Sequence, residues 1–113
     1  MANSFKNKKV DLTTTDLTTL YTVPTATTTV IKSILVSDDS GSGTTIDVTL
    51  VNSSSAIFSL FKSKSISGNA TTELLTQPLV MEESEILKVQ SGYANRLHVV
   101  ASILEIQPRE VTT

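Results

Sequence analysis

The cleanest pattern of apolar and polar positions in the chain is TTIDVTLV, where Ile46, Val48 and Leu50 fall on one side and Asp47 and Thr49 on the other. A period of two sends successive side chains to opposite faces, so the segment reads as a strand with one buried and one wet face. Thr28 to Ser37 is a second strong strand. Its apolar residues Val30, Ile31, Ile34, Leu35 and Val36 occupy both faces, which predicts a central position in a sheet. Val10 to Thr13 and Leu17 to Val23 are shorter strand candidates, the latter stopped by Pro24, which has no amide hydrogen to give a ladder. Ile57 to Ile66 is a strand that turns polar at Lys62 and Lys64; Glu73 to Leu75 and Leu79 to Met81 are short pieces separated by Pro78. Glu85 to Gln90 and Leu97 to Ile106 are predicted to form a hairpin across SGYAN. Ser37 to Gly43, Asn52 to Ser55 and Ser67 to Asn69 have turn composition. The string LLTQPLVMEESEILKV holds Pro78 and admits one turn of helix at most.

About eight short strands at turn spacing predict an all-β, single-domain antiparallel β-sandwich of jelly-roll type. The sandwich is expected over residues 10–108, with an extended N-terminal arm at 1–9 and a tail at 109–113. In the arm, Phe5 is the single large apolar residue beside Lys6, Lys8 and Lys9. Arms of this composition order when a partner covers them, so these four residues are candidates for an assembly interface.

Composition narrows the class. A chain of 113 residues is one domain, long enough to bury roughly two thirds of its unfolded surface. Its 18 threonines and 15 serines fit pleated outer faces and turns, while a 39% hydrophobic content separates it from disordered sequences. A net charge of −2 with 18% charged residues gives no field that would draw nucleic acid or an anionic membrane. The chain has no cysteine, hence no disulfide, thiolate metal site or thiol nucleophile. No apolar run approaches a bilayer span, and the basic start lacks an apolar segment after it, so synthesis in the cytoplasm without a standard signal peptide is expected.

Candidate chemistry is sparse. Glu82, Glu83 and Glu85 cluster around a turn, where carboxylates are solvated rather than tuned for acid and base work. Asp38, Asp39 and Asp47 do not follow the alternating spacing of a calcium loop. His98 is the one histidine, which excludes a triad or a histidine pair within a single chain. Gly41 and Gly43 lack the spacing of a phosphate loop, and the tripeptides at Asn52 and Asn69 read as turns. Of the aromatics, Phe58 and Phe61 fall on opposite faces of one strand, with one of them in the core. Tyr93 sits at a loop tip, placed either to stack on a sugar ring or to pack on its own turn or a neighbouring subunit. No residue is assigned to catalysis, a cofactor or a metal, and no enzyme is expected; Tyr93 joins the interface candidates.

The segment LYTVPTATTTVIKSILVSDDSG, Leu20 to Gly41, resembles the opening of small all-β virion proteins of tailed bacteriophages. PLVMEESEILKVQSG and RLHVVASILEI, Pro78 to Gly92 and Arg96 to Ile106, resemble the later strand pair of the same proteins. Asp38-Asp39 departs from their Asn and small residues. The resemblance implies a non-enzymatic structural role in the virion as a homo-oligomer. Its first form is capsid decoration or cement, with the major capsid protein as partner; its second is a tail, neck or fibre component, in contact with tail or neck proteins or with host glycans.

Overall fold

The computed structural model describes residues 2–107. Nine strands follow one another: β1 (Ala2–Leu12), β2 (Thr18–Thr22), β3 (Thr28–Asp38), β4 (Thr44–Val51), β5 (Ile57–Ile66), β6 (Thr71–Glu73), β7 (Leu79–Met81), β8 (Ile86–Ser91) and β9 (Leu97–Gln107). No helix occurs among the described residues, and none is therefore long and apolar enough to cross a membrane. The strands form two antiparallel sheets. The first has the order β1-β9-β3, with β6 and β7 sharing the far side of β3; the second has the order β2-β8-β4-β5. The pairing is nested: β1 takes β9, β2 takes β8, β3 takes β6 and β7, and β4 takes β5. The two antiparallel sheets make the all-β sandwich expected from the sequence.

Alternation decides what each strand buries. Ile46 and Val48 of β4, Leu87 and Val89 of β8, and Leu97, Val99 and Ala101 of β9 are fully covered between the sheets. In β3 the inward residues Ile31 and Ile34 are three apart, because a register shift between Ile31 and Ser33 inserts an extra residue and restores the phase. The strand is central, as its apolar pattern predicts, with β9 on one side and β6 and β7 on the other.

Two expectations are corrected. Residues 1–9 were expected as a separate arm, yet from Ala2 onward they belong to β1, paired without a break from Ala2↔Gln107 to Leu12↔Leu97. The backbone of β9 offers a full-length ladder, and a polar strand can take it because an edge leaves one row of side chains wet. The expected tail at 109–113 lies outside the described residues. The second correction concerns β8 and β9, which do not form a hairpin: they lie in opposite sheets. Each has its own inward apolar row to bury, and the five residues between them arch over the end of the core instead. Gly92 N donates to Thr45 O of the second sheet (3.0 Å) and Asn95 N to Leu12 O of the first (2.9 Å).

Glycine matters where two loops meet. A Cβ on Gly68 would lie 2.4 Å from Gly41 O, so the loop after β3 and the turn after β5 touch backbone to backbone.

Candidate assembly surfaces

The first sheet has an inner face in the core and an outer face that none of the described residues covers with a further layer. Along β1 the residues in step with Val10 and Leu12 point inward, so Phe5 and Lys9 point outward. Following the registers from Phe5 gives Leu104 on β9, then Val30 on β3, then Val80 on β7. Four apolar residues on four adjacent strands thus make one transverse row, about 14 Å from end to end at the spacing of hydrogen-bonded strands. Its two ends are its most exposed members, Phe5 at 75% and Val80 at 58%. A second row runs Lys9, Val100, Leu35, Glu73, four residues along β1 from the first. The apolar outer residues of β3 therefore belong to surface rows and are not packed under a third layer.

β1 is fastened by a buried polar group. Glu105 stands at an inward position of β9, next in the alternation after Ile103, and only 2% of it is exposed. Its Oε2 accepts from the Tyr21 hydroxyl (2.5 Å) and its Oε1 pairs with Lys6 Nζ (2.9 Å). Thr29 Oγ1 lies 2.7 Å from the Tyr21 oxygen. An ionised carboxylate only accepts, so the Tyr21 proton goes to Glu105 and the Thr29 hydroxyl donates to Tyr21. Burial pushes the Glu105 carboxyl up, but the Tyr21 hydroxyl and the Lys6 ammonium outweigh it and hold the group below the usual carboxylate range. Burial and then the bond to Glu105 push the Tyr21 hydroxyl up, which keeps its proton in place. Four strands, β1, β2, β3 and β9, meet in this group.

The interface candidates therefore part company. Phe5 is exposed on the outer face; Lys6 is committed to Glu105; Lys8 shares the side of Lys6 and adds to the positive field at Glu105. Lys9 is outward, with its Nζ donating to Asn7 Oδ1 at 3.2 Å. Tyr93 is far along the chain at the arch, and its ring lies under the Arg96 guanidinium, 4.0 Å from carbon to ring centroid. Arg96 is itself held by Gly43 O at 2.8 Å. Tyr93 thus has one ring face occupied by its own loop.

The outer face of the second sheet carries a shallow groove of about 590 Å³, with Leu17, Val51, Ile57 and Ile86 on its floor and walls and Lys62 and Lys88 beside them. Ile57 is 68% exposed. Of the two phenylalanines on β5, Phe61 packs against the core and Phe58 is exposed.

The acidic candidates are structural. Asp38 Oδ1 accepts from Ser40 N, Ser40 Oγ and Gly41 N at 2.8, 2.9 and 3.0 Å, closing the loop after β3. Burial pushes the Asp38 carboxyl up, and these donors bring it below its ordinary value. Asp47 Oδ1 accepts from Ser63 N at a residue with φ of 51°, steadying the irregular register of β5. Asp39 and Asp11 flank His98 at the surface, at 3.8 and 3.3 Å. Among the described residues these carboxylates form no group able to hold a metal ion.

The outer rows were not legible beforehand, because they depend on registers between strands distant in sequence. Glu105 did leave a signal: it is the one carboxylate in the inward run Leu97, Val99, Ala101, Ile103, Glu105. A charge at such a position needs a buried partner.

No family model and no curated protein matches the chain. The crystal structure of a pentameric capsid protein isolated from metagenomic phage sequences is similar to it, with a TM-score of 0.43 and 17% identity, covering 88% of this chain and 66% of that one. The chain thus spans just under two thirds of the length of that protein.

Proposed function

We propose that the protein is a non-enzymatic structural component of a tailed-phage virion, a decoration protein that binds the assembled shell. The observation that carries this reading is that both outer faces of the sandwich present apolar ground: the Phe5 to Val80 row on the first sheet and the Ile57 groove on the second. A self-sufficient sandwich needs apolar residues only on its inner faces. Apolar surface on two opposite faces gives a small domain two places to be covered, which is what a lattice component requires. The resemblance of Leu20–Gly41, Pro78–Gly92 and Arg96–Ile106 to phage virion proteins supports the same setting. In this reading the second-sheet groove faces the shell subunits and the first sheet faces neighbouring copies.

The test is occupancy. Shells lacking the protein are incubated with it, sedimented and assayed for bound copies, then heated. Saturable occupancy with raised heat resistance is expected, since a ligand that binds only the assembled state stabilises it by mass action. Ile57→Asp should abolish occupancy while leaving the melting temperature of the free protein unchanged. Binding to isolated tails with none to shells would overturn decoration in favour of a tail, neck or fibre component.

A further inference from the structure

The two edges of the first sheet are complementary to each other, and the geometry points to a head-to-tail contact in which the β1 edge of one copy lies against the β6–β7 edge of the next. This goes beyond the virion reading, because it is a property of the chain alone.

Three features on the molecule lead there. The first is direction. β1 runs the same way as β3, while β6 and β7 run opposite to it. A β1 strand set beside β6 and β7 of another copy is therefore antiparallel to them, and the sheet continues across the contact with its alternation unbroken. The second is the outer-face rows. The apolar row ends in Val80 at one edge and Phe5 at the other, and the mixed row ends in Glu73 at one edge and Lys9 at the other. Head-to-tail placement brings Val80 to Phe5 of the next copy and Glu73 to its Lys9, so an apolar pair and an opposite-charge pair form in the same registry. The Glu73 carboxylate holds Ile34 N and Leu75 N with Oε2, and neither of these bonds uses Oε1. The third is charge along each edge. Along β1, from Ala2 to Leu12, the chain has Lys6, Lys8 and Lys9 against one acid, Asp11; from Ser67 to Leu87 it has Glu73, Glu82, Glu83 and Glu85 and no base.

Charge also decides against the symmetrical alternative. Two β1 edges paired with each other would bring together two edges of net positive charge, and two β6–β7 edges two of net negative charge, each repulsive on balance. A contact between unlike patches repeats from copy to copy and closes into a ring or runs on as a filament.

Unlike patches allow a complementation test on the isolated protein without shells, so its outcome is separate from shell binding. Phe5→Asp spoils one edge and Val80→Asp the other; both positions are exposed, and circular dichroism and melting confirm that each variant folds. In sedimentation velocity the wild type should run as an assembly larger than a dimer. Each variant alone should fall to the 12.1 kDa monomer. Their equimolar mixture should yield a dimer of twice that mass that grows no further, because each contributes one intact edge. Lys9→Glu, a milder change, should weaken association about fivefold or more and reverse its salt dependence, the wild type loosening and the variant tightening as salt screens the Lys9–Glu73 pair. If either aspartate variant does not fold, Lys9→Glu and its salt response carry the test. A monomeric wild type, a Val80→Asp variant that assembles normally, or a mixture that stays monomeric overturns the head-to-tail contact.

Discussion

Tyr21→Phe removes one oxygen from the group where β1, β2, β3 and β9 meet. It deletes the 2.5 Å bond to Glu105 and takes the acceptor away from Thr29, which is fully buried. A hydrogen bond to a charged group contributes about 1.5–3 kcal/mol, and a buried donor left without an acceptor adds its own cost. The extra apolar character of Phe offsets part of this, so a net loss of about 2 kcal/mol is expected. For a domain of this length that lowers the melting temperature by roughly 8 °C. The loss should depend on pH with a definite sign. Tyr21 bonds the ionised carboxylate, so it depresses the folded-state pKa of Glu105 below the ordinary value of 4.5. Stability from a depressed carboxylate is present in full above that unfolded value and disappears as pH falls through the folded one. In the variant, burial is no longer outweighed to the same degree and the carboxyl rises. Thermal melts followed by circular dichroism should show the two proteins far apart at neutral pH and converging as pH falls below 4.5. A difference under about 3 °C at neutral pH, or one that is the same in acid, would refute the assignment of Tyr21 as the donor that keeps Glu105 charged.

Val48→Asp places an unpaired carboxylate in the fully covered centre of β4 and should leave no cooperative melt, at a cost of several kcal/mol. Asp47→Ala, one residue away and pointing outward, should cost about 1 kcal/mol through the loss of its bond to Ser63 N, measurable by urea titration. Reversal of the two would mean a register wrong by one residue. Gly68→Ala drives a methyl into Gly41 O and should cost about 2 kcal/mol or more, whereas Ser42→Ala in the same loop should cost little; equal effects would contradict the backbone contact. The wild-type melting temperature should fall steeply as pH drops below the ordinary carboxylate values of 3.8 and 4.5, because Asp38 and Glu105 both have depressed folded-state pKa values; Asp38→Asn should flatten part of that fall.

Local patterns were readable where local physics decides. The alternation at Ile46, Val48 and Leu50 gives the inward face of β4 directly, and Pro24 and Pro78 lie outside the strands, where their missing donor costs no ladder bond. The two β8 and β9 segments were also found within a residue or so, but their pairing was not. Two strands joined by five residues look the same in sequence whether they form a hairpin or cross between sheets; the choice rests on which distant partners, β2 and β4 or β1 and β3, accept their free edges. β1 was harder still, since an edge strand with alternating wet residues has almost no apolar signature beyond Val10 and Leu12. The surface candidates Phe5 and Lys9 were visible as residue types in a polar stretch. Their partners in each row, Leu104, Val30 and Val80 or Val100, Leu35 and Glu73, became visible only with the registers.

The nested pairing has a consequence for the order of events during synthesis. β1 leaves the ribosome before every other described strand, yet its ladder partner β9 leaves last, with Ala2 waiting for Gln107. β2 waits likewise for β8, while β4 and β5 meet across a short turn almost at once. The sandwich must therefore zip from its middle outward, with long loops closed late, and contacts this distant in sequence make for slow folding. Throughout that interval Phe5 and the lysines after it are carried on a solvated, unpaired segment. The edge that β1 presents comes into existence only as the last ladder closes, so a partially made chain cannot offer that edge to another copy.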